Sequence, residues 1–262
     1  MPTIPYFEVL AFTDKFFAGN PAGVCVLESD WLPVAQMQQI AHENNLAETA
    51  FVIEREGALH LRWFTPTMEI ELCGHARLAT AHALFHHRGR AGDELCFQSQ
   101  SGELKVTRKG DLLELDFPSR PAKPTEFSGE LTNALGAKPS ELLVGRDYLA
   151  IFKSEAEVAA LKPNSAAIKA LPVHGVIVSA MGDACDFVSR YFAPAVGIEE
   201  DPVTGSAHCT LIPYWSKRLG KNTLRARQIS PRRGDLICED RGARVGIGGH
   251  ALTYLEGKIY LP

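Results

Sequence analysis

The sequence predicts an α+β fold of two pseudo-symmetric domains, each a mostly antiparallel sheet wrapped around a central helix. The first observation behind this is an internal repeat. Arg62-Trp63-Phe64-Thr65-Pro66 returns as Arg190-Tyr191-Phe192-Ala193-Pro194, 128 residues later in a chain of 262, and self-similarity at half the chain length points to two copies of one unit. The second is the segment after each copy: an acidic stretch, then a small-residue turn, Cys73-Gly74-His75-Ala76 in one half and Thr204-Gly205-Ser206-Ala207 in the other. The Pro-to-Gly spacing is 8 residues in the first and 11 in the second. The third is that segments of strand character far outnumber helical ones.

Taken in order, Tyr6 to Phe12, Ala22 to Leu27, Thr49 to Glu54 and Leu59 to Phe64 are rich in β-branched and aromatic residues and bounded by Gly, Pro or Asp, as strands are. An amphipathic helix over about Pro33 to Asn44 interrupts them. Ala76 to Phe85 is apolar nearly all round, which suits a helix buried in its own domain. Leu104 to Thr107 and Leu112 to Phe117 complete the first half. The three prolines between Pro118 and Ser128 suggest a linker. In the second half Gly175 to Ser179, Asp186 to Phe192, Arg244 to Gly248 and Ala251 to Leu255 are the strands, and Ala207 to Trp215 is the buried helix, which Pro213 should shorten or kink. The domains expected are 1–117 and 118–249, with a last strand, 250–262, that either closes the second domain or rejoins the first.

Composition narrows the function. A net charge of -4 and a pI near 6.1 supply no field for nucleic acid or an anionic membrane, so a small-molecule partner is expected. The start lacks a basic n-region and the apolar runs are too short for a signal peptide or spanning helix, which suggests a cytoplasmic protein. Six cysteines without a C-x-x-C pair predict reduced thiols and no structural zinc. No G-x-G-x-x-G follows a strand and no phosphate loop occurs.

A helix start preceded by glycine offers unpaired amides and the positive end of the helix dipole, which bind carboxylate or phosphate. Gly74 and Gly205 are therefore candidate substrate-binding positions, each with the plainer alternative of a tight turn feeding a helix. If the pseudo-symmetry brought the two together, they would form a cradle for an anion in a cleft between domains.

The motifs GNPAGV (Gly19 to Val24), NNLAETAF (Asn44 to Phe51), RWFTP followed by CGHA, and RYFAP followed by EDPVTGSAH (Glu200 to His208) resemble the PhzF family of phenazine biosynthesis. The resemblance implies the diaminopimelate epimerase fold, a homodimer and a cofactor-free isomerase. In the namesake reaction a proton leaves one ring carbon of trans-2,3-dihydro-3-hydroxyanthranilate and returns at another. Carried onto this chain, it makes Glu48 the general acid/base, with His75, Asp201 and Ser206 as polar companions, and it calls for no metal. Such a base needs a carboxyl whose pKa is raised toward the working pH, and Leu46, Ala47, Ala50 and Phe51 are the neighbours able to desolvate it. The plainer roles are a solvated surface acid for Glu48, a turn-builder for Asp201 and helix caps for His75 and Ser206.

Other features compete. Cys73 invites a two-thiol racemase, or a one-base dehydratase, on a hydroxy or amino acid; the repeat places Thr204 where the partner thiol would stand, and a threonine hydroxyl is a poor acid or base. A binding protein that has lost turnover is a third possibility. His82 and His86, four apart on the helix with His87 following, have a spacing that can hold a metal, but no third ligand with sensible spacing appears. The run from Lys217 to Arg233 holds seven basic residues and no acid, and without interleaved aromatics it suggests a solvated face or subunit contact. Arg77 and Arg233 stand where the family usually has threonine and glycine, which bears on substrate choice.

Overall fold

The computed structural model describes residues 1–127 and 129–261. Its elements run β1 (Thr3–Ala11), β2 (Asn20–Leu27), α1 (Val34–Asn44), β3 (Glu48–Arg55), β4 (Ala58–Phe64), β5 (Glu69–Ile70), α2 (Gly74–His87), β6 (Glu94–Ser99), β7 (Gly102–Lys109) and β8 (Leu112–Pro118). They continue through β9 (Lys123–Pro124), α3 (Gly129–Leu135), β10 (Glu141–Val144), β11 (Tyr148–Ile151), α4 (Glu155–Ala160), α5 (Ser165–Lys169), β12 (Val176–Met181) and β13 (Phe187–Phe192). A 3-10 turn at Pro194–Val196 precedes α6 (Gly205–Leu219), β14 (Thr223–Gln228), β15 (Gly234–Asp240), β16 (Arg244–Gly249) and β17 (Ala251–Tyr260). Strand makes up 42% against 23% helix, a sheet-rich α+β protein. Two compact units form, Met1–Asp116 with Gly248–Pro262, and Phe117–Ile247.

In the first unit β17 pairs with β1 from Thr3↔Tyr260 to Ala11↔Ala251, and β1 pairs with β2. From there β2 runs parallel to β3, β3 antiparallel to β4, β4 parallel to β6 and β6 antiparallel to β7. In the second unit β11 is parallel to β12, β12 antiparallel to β13, β13 parallel to β14 and β14 antiparallel to β15. The sequence of pairings is the same, and α2 and α6 are the crossovers at equivalent places, as parallel neighbours require.

The repeated Arg-aromatic-Phe motif performs the same task in each unit. Arg62 donates to both carboxylate oxygens of Glu69 at 2.7 Å and lies over the Phe64 ring. Arg190 grips Glu200 at 2.7 and 2.9 Å and lies over Phe192. The acidic stretch after each motif is thus held by a bidentate pair, which fixes the chain leading to each small-residue turn.

Both central helices begin two residues before the expected start, at Gly74 and Gly205. In α2 every residue from His75 to Phe85 is buried. The second helix is not shortened by Pro213: α6 has 15 residues against 14 for α2. Proline removes the N–H that would bond the Cys209 carbonyl, and the Arg120 amide fills that place, donating to Cys209 O at 2.9 Å. The same contact corrects the linker expectation. Ser119 N–H bonds Ala243 O, Thr125 N–H bonds Leu142 O, and β9 pairs with β10, so this proline-rich segment is bound into the second unit; Ser128 lies outside the described residues. Near the far end of α6, Trp215 stacks on Phe187 and donates to Ser179 Oγ at 2.9 Å.

Candidate functional site

Glu48 is aimed by the end of α1. Asn45 closes that helix in the left-handed region, φ 48°, its N–H on Ala41 O, and Asn44 Nδ2 donates to Thr49 Oγ1 at 3.1 Å. The tie makes Glu48 the first residue of β3, paired with Ala22 of the parallel neighbour β2. Asn20 begins β2 after Gly19, whose φ of 68° and whose Cβ position 2.3 Å from Ala11 O admit only glycine. Cys73 occupies the N-cap position of α2, and His75 is the second residue of the helix.

These four side chains meet. His75 Nε2 stands 3.0 Å from Glu48 Oε2, with both side chains below 8% exposed. On the other ring nitrogen, Nδ1, Asn20 Nδ2 approaches to 3.2 Å and Cys73 Sγ to 3.5 Å. Burial works against a charge on His75, but the Cys73 sulfur and the Glu48 carboxylate override it and lift the imidazole well above its usual value. The Cys73 thiol is pushed up by burial and then by Glu48, with His75 and the Ala76 amide opposing. The result is a buried carboxyl group 3.0 Å from the imidazole of His75 at the start of α2, beside a thiol pushed toward its neutral form. Glu48, Cys73 and His75 also form a donor set with ligand atoms within 4.8 Å of one another.

In the second unit Asp201, Thr204, Gly205 and Ser206 gather at the start of α6. Thr204 is the N-cap, the counterpart of Cys73. Its hydroxyl donates to Asp201 Oδ2 at 2.5 Å, and its amide donates to Gln228 Oε1 at 2.9 Å. Gln228 Nε2 returns to Asp201 O at 2.7 Å. Asp201 therefore braces the turn into α6. Cysteine and threonine hold the two cap positions, so neither His75 nor Ser206 is a cap; Ser206 is the second residue of α6 and partly buried.

Asn20 and Gln228 were not singled out from sequence. Asn20 sits inside the GNPAGV motif, whereas nothing around Gln228 marks it. Gln228→Leu would strand a buried amide and a buried carbonyl, and a loss of about 2 kcal/mol is expected, read as a lower urea midpoint at unchanged slope.

The remaining candidates fall elsewhere. His82 and His87 both direct Nε2 to Thr253 Oγ1, at 3.0 and 2.7 Å; burial, then His86 and His87, push His82 down to about 3. In the basic run Lys221 pairs with Asp186 at 2.5 Å, Arg227 with Asp235 at 2.7 Å, and Arg218 with Glu141. Arg77 is fully buried within α2. Arg233 adopts φ 57°, the conformation glycine would take freely, with its amide on Ser230. Among the described residues no helix is long and apolar enough to cross a membrane.

Comparison with known proteins first defines the class, a small-molecule isomerase. The chain is 50% identical to an uncharacterized isomerase of Pseudomonas aeruginosa, over 97% of this chain and 98% of that one. The family model described as "Phenazine biosynthesis-like protein" matches residues 9–257, and the chain belongs to this PhzC/PhzF family. A crystal structure of a PhzF-family phenazine biosynthesis protein from Enterococcus faecalis is 51% identical, with a TM-score of 0.97 over 99% of this chain and 100% of that one. A probable proline racemase from Agrobacterium radiobacter, 11% identical with a TM-score of 0.64 over 99% of this chain and 93% of that one, shares the fold.

Proposed function

We propose that this isomerase shifts a proton between carbons of a small carboxylate-bearing substrate, a cyclic amino or hydroxy acid, with Glu48 as the single general acid/base. The observation that carries the reading is the buried Glu48–His75 pair at 3.0 Å. A carboxyl group removed from water and packed beside the His75 ring is held in place where it can take a carbon-bound proton. His75, whose basicity Cys73 and Glu48 push up, is placed to balance the charge that develops as the proton moves to Glu48. Asn20 and Cys73 hold the ring from its other side. The proton then returns from Glu48 to the acceptor carbon, which needs no second base.

In the first unit the start of α2 at Gly74 offers N–H groups and a helix dipole that favour the substrate carboxylate; in the second unit the start of α6 at Gly205, with Asp201 and Ser206 as polar companions, offers a helix start of the same kind. The same reading carries a homodimeric, cytoplasmic enzyme without a cofactor. Against a thiol base stand the upward push on Cys73 and the engagement of the Thr204 hydroxyl by Asp201.

The test begins with NMR in deuterated water on trans-2,3-dihydro-3-hydroxyanthranilate and a panel of small amino and hydroxy acids. Whichever compound turns over is then deuterated at the donor carbon and converted in ordinary water. A single carboxylate should deliver part of that label to the acceptor carbon of the same molecule. Complete washout, together with loss of activity in Cys73→Ser, would overturn the one-base reading in favour of the thiol. Silence from the whole panel would favour a binding protein.

A further inference from the structure

We infer that β17 is an interface between two copies of this chain: its open edge pairs antiparallel with β17 of the second copy, about a two-fold axis through Gly257. The strand is self-complementary. Tyr254-Leu255-Glu256-Gly257-Lys258-Ile259-Tyr260 reads alike in kind from either end, with an acid on one side of the glycine and a base on the other. Turned antiparallel against itself about Gly257, it sets Glu256 opposite Lys258, Leu255 opposite Ile259 and Tyr254 opposite Tyr260. Opposite charges and paired apolar or aromatic side chains are the cross-strand contacts that stabilise a sheet. A two-fold axis supplies each of them twice.

The backbone agrees with this register. β1 takes one edge of β17, in unbroken pairing from Thr3↔Tyr260 to Glu8↔Leu255, and Leu261 N–H donates to Pro2 O across that edge at 2.9 Å. Backbone groups of successive strand residues point to alternate sides, so Ile259, Gly257 and Leu255 turn theirs to β1 as Leu261 does, while Tyr260, Lys258 and Glu256 turn theirs away. Glu256 and Lys258 are therefore the residues able to exchange backbone bonds with Lys258 and Glu256 of a second copy. Gly257 would then meet its own counterpart at the narrow spacing, about 4.5 Å between Cα atoms. The side chains on this edge are unspent. Tyr254, Leu255 and Tyr260 are 48%, 44% and 71% exposed; the Glu256 side chain, 3.3 Å from His87 Nδ1, is 62% exposed; and Lys258 is exposed with no ion-pair partner among the described residues. A long edge strand carrying exposed apolar side chains invites another strand. Pairing alone is small against the roughly 1,200–2,000 Å² that a stable interface buries. The loop before β2 adds to it, because Phe16 and Phe17 are 57% and 76% exposed and Phe17 lies edge-on to Tyr254 at 6.0 Å.

The partner, a second copy, rests on the homodimer of the proposed function; the place of contact rests on this strand, and the Glu48 chemistry does not enter. The experiment uses the full chain in sedimentation equilibrium over a range of concentrations, with far-ultraviolet circular dichroism as the control for folding. Wild type should show twice the 28.6 kDa of the chain. Lys258→Glu sets acid against acid at both pairs and should raise the dimer Kd about tenfold or more, and adding Glu256→Lys to it should restore association. Gly257→Cys supplies a second, independent reading. A Cβ at Gly257 meets only Leu255 Cδ2, at 3.8 Å, so the variant should fold, and under mild oxidation it should form a disulfide-linked dimer that wild type does not. Leu255→Cys, which faces Ile259 and not itself, should stay uncrosslinked. A dimer whose Kd Lys258→Glu leaves unchanged, and which Gly257→Cys does not cross-link, would overturn the β17 interface while the homodimer stands. A wild-type chain that sediments at 28.6 kDa throughout would overturn interface and homodimer together, leaving the proton shift to its own label-transfer test.

Discussion

Glu48→Gln should lower kcat by about 10²–10⁴-fold, the range that a positioned general acid/base contributes, while the fold persists. The amide keeps the shape of the carboxylate beside His75, so the loss isolates proton transfer from packing. KM should change little if the substrate is held by helix-start amides, and a drop confined to kcat is the signature of an interaction needed only in the transition state. The substitution also has a stability signature. His75 is raised in the folded protein partly by Glu48, so the pair's contribution is fully present below pH 6.5, the ordinary histidine value, and fades as pH rises through the elevated folded value. Denaturation curves of wild type and Glu48→Gln should therefore converge at alkaline pH. Retention of full kcat by the folded variant would remove Glu48 from the chemistry.

The legibility of the site depends on which interactions are local in sequence. The Arg62 and Arg190 motifs, their acidic partners and the two helix starts lie within some dozen residues of one another, and the pattern carried both the repeat and the elements around it. The Glu48 segment was legible through its resemblance to a family. Asn20 and Gln228 were not, because each acquires its role from a partner far along the chain, 55 residues away for His75 and 24 for Thr204. The basic run concealed a strand for another reason. In β14, Thr223–Gln228, burial alternates, with Leu224, Ala226 and Gln228 inward and Thr223 and Arg225 outward, a period-two pattern masked by charged residues on the outer face. The short helices α4 and α5 carried their signals in single caps: Ser154 accepts from Glu157 N and Asn164 from Ala167 N. Pro213 does not shorten α6 because its effect depends on a neighbour: a backbone amide from Arg120 bonds the Cys209 carbonyl that proline leaves without a donor.

Lowering the pH from 6.5 to 4 should cost the second unit about 3 kcal/mol through His208 alone. This histidine is fully buried in α6, and burial pushes it down to about 4, with its bond to the Thr204 carbonyl only partly opposing. It is neutral at pH 7, with Nδ1–H donating to Thr204 O at 2.8 Å, and its other nitrogen, Nε2, is buried without a hydrogen-bond partner. Protonation would add both a charge and an N–H that has no acceptor. The sign comes from linkage: below pH 6.5 the unfolded chain binds this proton and the folded one does not, so stability falls by about 1.4 kcal/mol per pH unit until the folded group titrates near 4. His82, pushed down to about 3 in the first unit, adds a separate loss, so the whole-protein curve alone would not isolate α6. The discriminating measurement is urea unfolding of wild type and His208→Gln between about pH 8 and pH 4. The variant should be less stable at neutral pH but lose about 3 kcal/mol less over the acid limb. Parallel curves would mean that His208 is already able to hold its proton in the folded state. A convergence would tie acid sensitivity to the turn that His208 secures, where Thr204 caps the helix and Gly205 and Ser206 begin it.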